Sequence, residues 1–317
     1  MSNRDTQLTV LMSVRNGEPY VRESVQSILR QTYGDYLFLI VANASDDRTP
    51  EIVESFRDPR VRLIQLEKDI GQTAALNLGL GMTRSPYIAR IDADDVSHPT
   101  RLEKQMAYAR AHPDTALIGT WTTIIGPDGS PIAEKETSTD PDVLMEELLF
   151  RKVFAHSSVI FARAAVSELW VYPTHARYAQ DYALWLEVTL RHPTAILPQF
   201  LVSIRRHDKQ IGRSGLSSER VRDPMVLIDN ILSRPDLPSS LLNLKNKARA
   251  RASLRYAAGL REEGRWSQAF VELGRGLMLD APGSLGKESA VYIAQTVLGM
   301  RGYEWICSAR RRRPMGT

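Results

Sequence analysis

Cysteine is nearly absent from this chain, whose 317 residues include only one, Cys307. A lone cysteine excludes an intramolecular disulfide and a zinc site built from several cysteines. Scarcity of cysteine is also typical of proteins from a reducing compartment. Stability must come from an ordinary apolar core, and a hydrophobic content of 43% is sufficient to build one.

Long hydrophobic runs are missing as well. Leu8–Val14 is apolar, but Thr9 and Ser13 interrupt it and no small-residue cleavage site follows, so it predicts a buried strand and not a signal peptide. The longest late uncharged stretch, residues 289–300, is too short to cross a bilayer of ~30 Å as a helix. We therefore expect a cytoplasmic protein. The net charge is only +4 and is dispersed, which argues against a nucleic-acid partner.

Apolar runs with little period-2 alternation predict buried parallel strands, because helices cover both faces of such a sheet. These runs are residues 8–14, 36–42 and 87–91, and a further strand is predicted at residues 61–65. Helix-like spacing of apolar residues occurs between them, at residues 19–31, 49–56 and 72–82. This order predicts an α/β fold with a doubly wound, mostly parallel sheet flanked by helices. Ligands of such sheets bind beyond the carboxyl ends of the strands.

The later part of the chain changes character. Helices are predicted at residues 99–112, 140–150 and 180–190, and another strand at residues 116–125. Near residues 212–218 the composition shifts to small polar residues, which is typical of a domain boundary. We therefore predict one domain at residues 1–215 and a helical region at residues 216–317.

Polar clusters follow three of the predicted strands and should converge at one edge of the sheet. They are residues 13–18, 43–47 and 92–95. The last cluster holds Asp92, Asp94 and Asp95, whose carboxylates repel one another unless a cation lies among them. Carboxylate oxygens suit Mg²⁺ or Mn²⁺, and such an ion would neutralise a diphosphate. The alternative is an acidic turn that caps the helix beginning near Pro99.

Six ordered motifs resemble those of the inverting family-2 glycosyltransferases, which have the GT-A fold. The resemblance spans about residues 8–210, some two-thirds of the chain. The motifs are residues 9–18, 41–47, 71–79, 89–95 with Pro99, Arg101 and Leu102 after them, 180–186, and 205–210. A lone Asp-x-Asp is weak evidence, whereas six elements in the right order are strong evidence. The resemblance makes residues 1–215 the catalytic domain.

The resemblance implies a role for each matched residue. Asp94 is expected to bind the Mn²⁺ or Mg²⁺ ion, and Asp181 is expected to be the general base that deprotonates the acceptor hydroxyl. The residues expected to bind the nucleotide are Ser13, Arg15, Asn43, Asp92, Arg205 and His207. Each role has a plainer alternative: Asp181 also suits a helix N-terminus, and Arg205 with His207 also suits a solvated face. For His156 an acceptor-site role and a structural role are equally favoured.

Two departures from the family pattern affect the donor. The family usually has an acid where Ala42 stands and often an aromatic residue where Arg15 stands. Both positions lie near the expected nucleoside, so uracil is favoured only modestly over guanine or thymine. Gln180 also replaces a common Glu, but the following Asp181 is kept.

The C-terminal region resembles one tetratricopeptide-like helical hairpin in its segments 256–260, 264–269 and 273–282. One such unit must pack on something to bury its face, so it is either an appendage of the catalytic domain or a docking surface for a protein partner. Arg310 to Arg313 form a basic run suited either to anionic lipid or to a free tail.

The function we expect is inverting transfer of a hexose from a nucleotide diphosphate, with a UDP-sugar favoured, to a glycan or lipid-linked hydroxyl in surface polysaccharide biosynthesis. A sugar-nucleotide nucleotidyltransferase would need a Gly-rich basic turn after the first strand, where this chain has only Gly17. A dehydrogenase is disfavoured because no Gly-x-Gly-x-x-Gly follows a strand. A non-catalytic scaffold stays open as the third alternative.

Overall fold

The computed structural model describes residues 6–167, 172–174, 176, 178–208, 210, 217–235, 237–280 and 289–299. The described residues form two compact units. One unit comprises those of 1–148, 152–176 and 180–210, and the other comprises those of 149–151, 177–179 and 211–317.

The first part of the chain alternates strands with helices. Its strands are β1 (Leu8–Val14), β2 (Tyr36–Asn43), β3 (Val61–Leu66) and β4 (Tyr87–Arg90). Its helices are α1 (Val21–Leu29), α2 (Thr49–Glu54) and α3 (Gln72–Gly81). The strands lie in the order β3-β2-β1-β4, all in parallel, with Leu8 opposite both Tyr36 and Tyr87. All seven residues of β1 are buried, as expected for a central strand with helices on both faces.

The rest of the first unit extends this sheet with mixed pairing. Its strands are β5 (Val96–Ser97), β6 (Leu117–Ile125), β7 (Pro131–Lys135), β8 (Ile160–Ala162) and β9 (Thr194–Arg205). Its helices are α4 (Arg101–Ala111), α5 (Pro141–Leu148), α6 (Arg163–Ser167) and α7 (Gln180–Arg191), and a 3-10 turn spans His156–Ser158. The order continues β4-β8-β6-β9-β5, with β7 beside β6. The predicted α/β fold is confirmed, and the antiparallel strand β8 is the addition that joins β4 to β6.

The C-terminal unit is helical, as predicted. It contains α8 (Ser218–Ile231), α9 (Ser239–Asn243), α10 (Lys245–Glu262) and α11 (Trp266–Leu279), and residues 289–299 are helical too. Helices α10 and α11 share a small core of Ala250, Leu254, Ala257 and Leu273. The likeness to a tetratricopeptide hairpin stays a prediction. Arg310 to Arg313 lie outside the described residues, and within the described part of the chain no helix has the length and apolarity to cross a membrane.

Candidate active site

The carboxyl ends of β1, β2 and β4 meet at one edge of the sheet, because β1 pairs in parallel with both of the others. Hydrogen bonds join the segments that follow these strands. The Gly17 N–H donates to Thr49 Oγ1 at 2.9 Å, and the Ser24 hydroxyl donates to the Asp92 carbonyl at 2.9 Å. The three polar clusters picked out in the sequence therefore face one site.

A carboxylate that the motifs did not single out, Asp69, lies beside the expected nucleoside residues. Asn43 is 3% exposed, and its amide nitrogen donates to Asp69 Oδ1 at 2.7 Å while its oxygen accepts the Ile70 N–H at 3.0 Å. The guanidinium of Arg15 forms an ion pair with the other oxygen of Asp69. Ser13 is buried at the end of β1. Both ends of the Asn43 amide are thus occupied, whereas the side chains of Arg15 and Asp69 are 47% and 40% exposed.

Asp92 is held by a buried arginine from the strand before it. The Arg90 guanidinium is fully buried, donates to the carbonyls of Leu11 at 2.7 Å and Ile91 at 2.6 Å, and forms an ion pair with Asp92. Burial raises the pKa of the Asp92 carboxyl, but the Arg90 charge and the other stabilising contacts of the carboxylate together leave that pKa below its ordinary value. Asp92 is therefore ionised at neutral pH.

Asp94 lies against a histidine from the far end of the unit. Its Oδ2 atom is 2.9 Å from His207 Nε2, and Gln210 Nε2 is 3.5 Å away. Burial, together with the negative charge of Asp92, raises the pKa of Asp94 even though His207 opposes the shift. A divalent cation would relieve this repulsion, and both carboxylate oxygen and imidazole nitrogen can coordinate such an ion.

These residues fit a metal only as part of a larger ligand set. Within the described ranges, no group of three or more His, Cys, Asp or Glu side chains is placed to hold an ion. The side chains of Asp94 and His207 remain 22% and 15% exposed. This exposure leaves room for the remaining ligands to come from substrate phosphate and water, the usual arrangement for Mg²⁺ at phosphate sites.

Asp95 is a buried structural acid. It is 3% exposed, and it accepts the Ser157 hydroxyl at 2.5 Å and the Arg205 N–H at 2.9 Å. Burial raises its pKa well above the ordinary value. The capping alternative for this acidic turn is not observed, because the N-cap of α4 is Thr100 and no side chain caps it.

Arg205 is deeply buried at the end of β9. Its side chain is 1% exposed and donates to the carbonyls of Asp94 at 3.0 Å and Gly126 at 3.2 Å, and to Glu23 Oε2 at 2.5 Å. Its guanidinium also lies 4.8 Å from the Tyr20 ring centre. The contacts of Arg205 favour a role in positioning the Asp94 loop over direct contact with a phosphate.

Asp181 lies in the first turn of α7 and forms an ion pair with Lys152, a residue absent from the sequence motifs. Lys152 Nζ donates to Asp181 Oδ1 at 2.7 Å, and the Tyr182 N–H donates to the same oxygen at 2.8 Å. Burial raises the pKa of Asp181, but the charge and hydrogen bond of Lys152 and the Tyr182 N–H act in the opposite direction, and the pKa lies below its ordinary value. The Asp181 charge in turn acts on Asp92, so the two carboxylates share one site.

A buried aromatic cluster lies between these two acids. Arg90 Nε donates to His156 Nε2 at 3.0 Å, the Tyr172 hydroxyl is 3.0 Å from the same nitrogen, and the Trp185 ring centre is 6.2 Å from that of His156. Burial and then the Arg90 charge lower the pKa of His156 to about 4, so the imidazole is neutral at pH 7. Asn77 holds Tyr172 by two hydrogen bonds to its backbone, at 2.9 and 3.0 Å. Both roles considered for His156 are compatible with this position.

Sequence reasoning missed Asp69, Lys152 and Tyr172. Asp69 lies two residues before the glycine that opens the matched segment 71–79, so extending that motif backwards would have found it. Lys152 and Tyr172 follow no strand and belong to no motif. Only their contacts with Asp181 and His156 identify them.

Comparisons with known proteins identify the family of similar chains. The family model described as "Glycosyl transferase family 2" matches residues 9–166. The O-antigen biosynthesis glycosyltransferase WbnJ of Escherichia coli is 33% identical over 219 residues, which cover 66% of this chain and 84% of that protein.

Two similar solved structures show the fold. The crystal structure of S. aureus TarS 1-349 in complex with UDP-GlcNAc has a TM-score of 0.70 at 17% identity and covers 96% of this chain and 92% of that one. The mannosyltransferase PcManGT from Pyrobaculum calidifontis, in complex with GDP-Man and Mn²⁺, has a TM-score of 0.59 at 17% identity and covers 99% of this chain and 89% of that one.

Proposed function

This chain belongs to glycosyltransferase family 2, and from that premise we propose that it transfers a hexose from a nucleotide diphosphate to a hydroxyl, with inversion at the anomeric carbon. The observation that carries the proposal is that two carboxylates, those of Asp94 and Asp181, belong to one site but have different surroundings. Asp94 is paired with His207, whereas Asp181 is paired with Lys152 and is close enough to influence Asp92. Separate donor-side and acceptor-side carboxylates are what a single displacement needs.

The donor nucleotide is proposed to bind beyond β1 and β2. Ser13, Arg15, Asn43 and Asp69 would surround the nucleoside, with Asp69 presenting its carboxylate to N–H groups of the base. Uracil, thymine and guanine all carry such a ring N–H group, and among these donors a UDP-sugar is preferred. The complexes of TarS with UDP-GlcNAc and of PcManGT with GDP-Man support a nucleotide-sugar donor of this kind.

The diphosphate is proposed to lie near Asp92, Asp94 and His207. When bound there, Mn²⁺ or Mg²⁺ would stabilise the negative charge that develops on the leaving diphosphate. Asp94 would be the protein's metal ligand, and the Mn²⁺ in the PcManGT complex supports the choice of ion. Arg205, through its contacts with the Asp94 carbonyl and Glu23, would keep this loop in place.

Asp181 is proposed as the general base. A sugar hydroxyl is a weak nucleophile at neutral pH, so its proton must be taken as the new bond forms. Asp181 is ionised at neutral pH, because Lys152 helps to keep its pKa low. Asp92 and Asp94, which follow β4, are assigned to the donor side of this proposal. Attack from the face opposite the diphosphate then inverts the anomeric configuration.

The setting of the reaction is proposed from relatives and composition. The role of WbnJ in O-antigen biosynthesis supports a glycan or lipid-linked acceptor in surface polysaccharide assembly. We place the enzyme in the cytoplasm, with peripheral contact to the inner face of the membrane through Arg310 to Arg313. The C-terminal helices are the surface proposed for a protein partner.

Turnover of nucleotide sugars tests this function. Wild-type protein with Mn²⁺ should hydrolyse or transfer from one member of a panel of UDP, GDP and dTDP hexoses, and EDTA should abolish the activity. Asp181→Asn should keep donor binding but lose turnover by ~10² or more, because the amide cannot accept the proton. Asp94→Ala should lose the response to Mn²⁺, and the exposed Asp114→Ala serves as the matched control.

The stereochemistry of the product tests the single displacement directly. Proton NMR of the first product should show the anomeric configuration opposite to that of the donor. Retained configuration would exclude a single displacement, and normal turnover by Asp181→Asn would remove Asp181 from the mechanism. A chain that binds nucleotide sugars but turns none over would indicate the scaffold alternative.

A further inference from the structure

Lys152 is a half-exposed lysine whose ammonium reaches into the buried part of the site. It follows α5 along the chain, and its side chain is 45% exposed, whereas that of Asp181 is 10% exposed. The 2.7 Å bond from Nζ to Asp181 Oδ1 is charge-assisted and joins segments far apart in the sequence. Holding the Lys152 side chain in one conformation costs side-chain entropy, which the ion pair with Asp181 must offset.

Lys152 is the cation that offsets the burial of Asp181 at neutral pH. The titratable groups that face Asp181 are Lys152, His156, Asp92 and Tyr172. His156 has a pKa of about 4 and is neutral at pH 7, Tyr172 is neutral because burial raises its pKa, and Asp92 is an anion that repels a second one. Without Lys152, burial and Asp92 would together favour the protonated form of Asp181.

The pairing also divides the two carboxylate oxygens between different tasks. Oδ1 accepts both the Lys152 ammonium and the Tyr182 N–H, at 2.7 and 2.8 Å. Among the described residues, no donor is in hydrogen-bond contact with Oδ2 of Asp181. Oδ1 is therefore held by two donors, and Oδ2 is the oxygen on which the carboxylate could accept a substrate proton.

We propose that Lys152 is a positioning residue for the transfer reaction, which keeps Asp181 ionised and turns its Oδ2 atom toward the acceptor hydroxyl. This inference rests on the proposed role of Asp181 as the base. In the step, the acceptor oxygen forms a bond to the anomeric carbon, the bond from that carbon to the diphosphate oxygen breaks, and the diphosphate keeps the electron pair. The acceptor's proton moves to Oδ2, while Lys152 keeps its own protons and holds Oδ1.

The test measures the pH dependence of kcat/KM for the nucleotide sugar that the wild type turns over fastest, with water as acceptor. Lys152→Met is expected to lower kcat/KM at pH 7 by roughly tenfold to a hundredfold, the loss that a misplaced catalytic group causes. Its activity should recover as the pH rises, because the Asp181 carboxyl then ionises without the lysine. KM for the donor should stay near the wild-type value.

Lys152→Arg and Lys104→Met are the companion variants. Arginine keeps the cation, so it should restore most of the activity and the wild-type pH profile. Lys104 is an exposed lysine on α4 that contacts Gln199. Lys104→Met should change neither the activity nor the pH profile. An arginine variant as impaired as Lys152→Met at every pH would overturn the proposal, and so would a Lys152→Met profile with the wild-type shape.

Asp181→Asn separates this inference from the proposed function. If it is inactive at every pH while Lys152→Met keeps the wild-type profile, the base assignment stands and the role of Lys152 is wrong. If Asp181→Asn turns over normally, Asp181 is not the base, and the inference about Lys152 fails together with it.

Discussion

At the scale of single residues, Asn43 and Asp69 form a hydrogen-bonded pair where the nucleoside is proposed to bind. Asn43 is buried with both ends of its amide occupied, so it supports Asp69 and has little freedom to turn toward a ligand. The more exposed Asp69 carboxylate is tied to Arg15 by an ion pair. The sequence predicted that Asn43 lies near the nucleobase, and its contacts lead us to propose Asp69 as the side chain that contacts the base.

We predict that Asp69→Asn lowers the affinity for UDP and GDP by about tenfold, the typical effect of losing one charge-assisted hydrogen bond. Asn43→Ala should have a similar effect, because it releases Asp69. Titration calorimetry with UDP, GDP and CDP measures the change. CDP should respond least, since cytosine has no ring N–H and offers a carboxylate only its exocyclic N4–H group.

Asp46→Asn is the matched control for this prediction. Asp46 lies 3.9 Å from the same Arg15 guanidinium, but its side chain is 80% exposed. An exposed pair of this kind contributes little, so nucleotide affinity should stay unchanged. If the Asp69 and Asn43 variants bind every nucleotide with the wild-type affinity, this pair does not contact the base.

At the scale of secondary-structure elements, the close packing of α3 on the sheet depends on a glycine. A methyl group at Gly79 would overlap the Leu11 side chain of β1 and lie 3.4 Å from Val41 Cγ2 of β2. The helix can therefore approach both central strands only without a side chain at this position. Because these strands end in the residues proposed to bind the donor, the packing of α3 also helps to position that proposed site.

We predict that Gly79→Ala destabilises the protein by roughly 1–3 kcal/mol, the typical cost of forcing atoms into a packed core. Gly81→Ala, in the same helix, should be neutral or stabilise by up to about 1 kcal/mol, because nothing lies within 4 Å of its Cβ. The midpoint of urea unfolding measures both. Equal midpoints for the two variants would mean that α3 moves freely away from β1.

At the scale of the whole molecule, the two compact units do not divide the chain at one point. Residues 149–151 and 177–179 group with the C-terminal helices. The Phe150 ring lies 5.7 Å from the Arg251 guanidinium, and the Tyr178 N–H donates to Asp223 Oδ2 at 3.0 Å. The predicted boundary at residue 215 is therefore crossed by two short segments from earlier in the chain.

We predict that a fragment of residues 1–215 melts at a lower temperature than the full chain, because Phe150 and Tyr178 lose these partners. For chains of this size each kcal/mol lost lowers the melting temperature by roughly 2–4 °C. Thermal unfolding monitored by fluorescence measures the difference, and a fragment of residues 1–299 is the control for truncation itself. If the fragment of residues 1–215 has the same melting temperature as the full chain, these residues form an independent domain despite the two segments that group with the C-terminal helices.

The sequence by itself determined the elements of residues 8–91 and their order. The apolar runs of β1, β2 and β4 were predicted to within one residue at each end, since such runs are needed wherever helices cover both faces of a sheet. It also indicated which strand ends carry polar groups, and the parallel pairing places those ends together. Pattern and propensity act between near neighbours in the chain, so they can be read without a structure.

Only the tertiary structure decided which side chains meet. The pairs Asn43–Asp69, Asp181–Lys152 and Asp94–His207 each join residues that are far apart in the chain. The mixed pairing around β8 belongs to the same class, because a three-residue strand leaves almost no pattern in the sequence. Such contacts depend on how distant segments close on one another, and no local period encodes that closure.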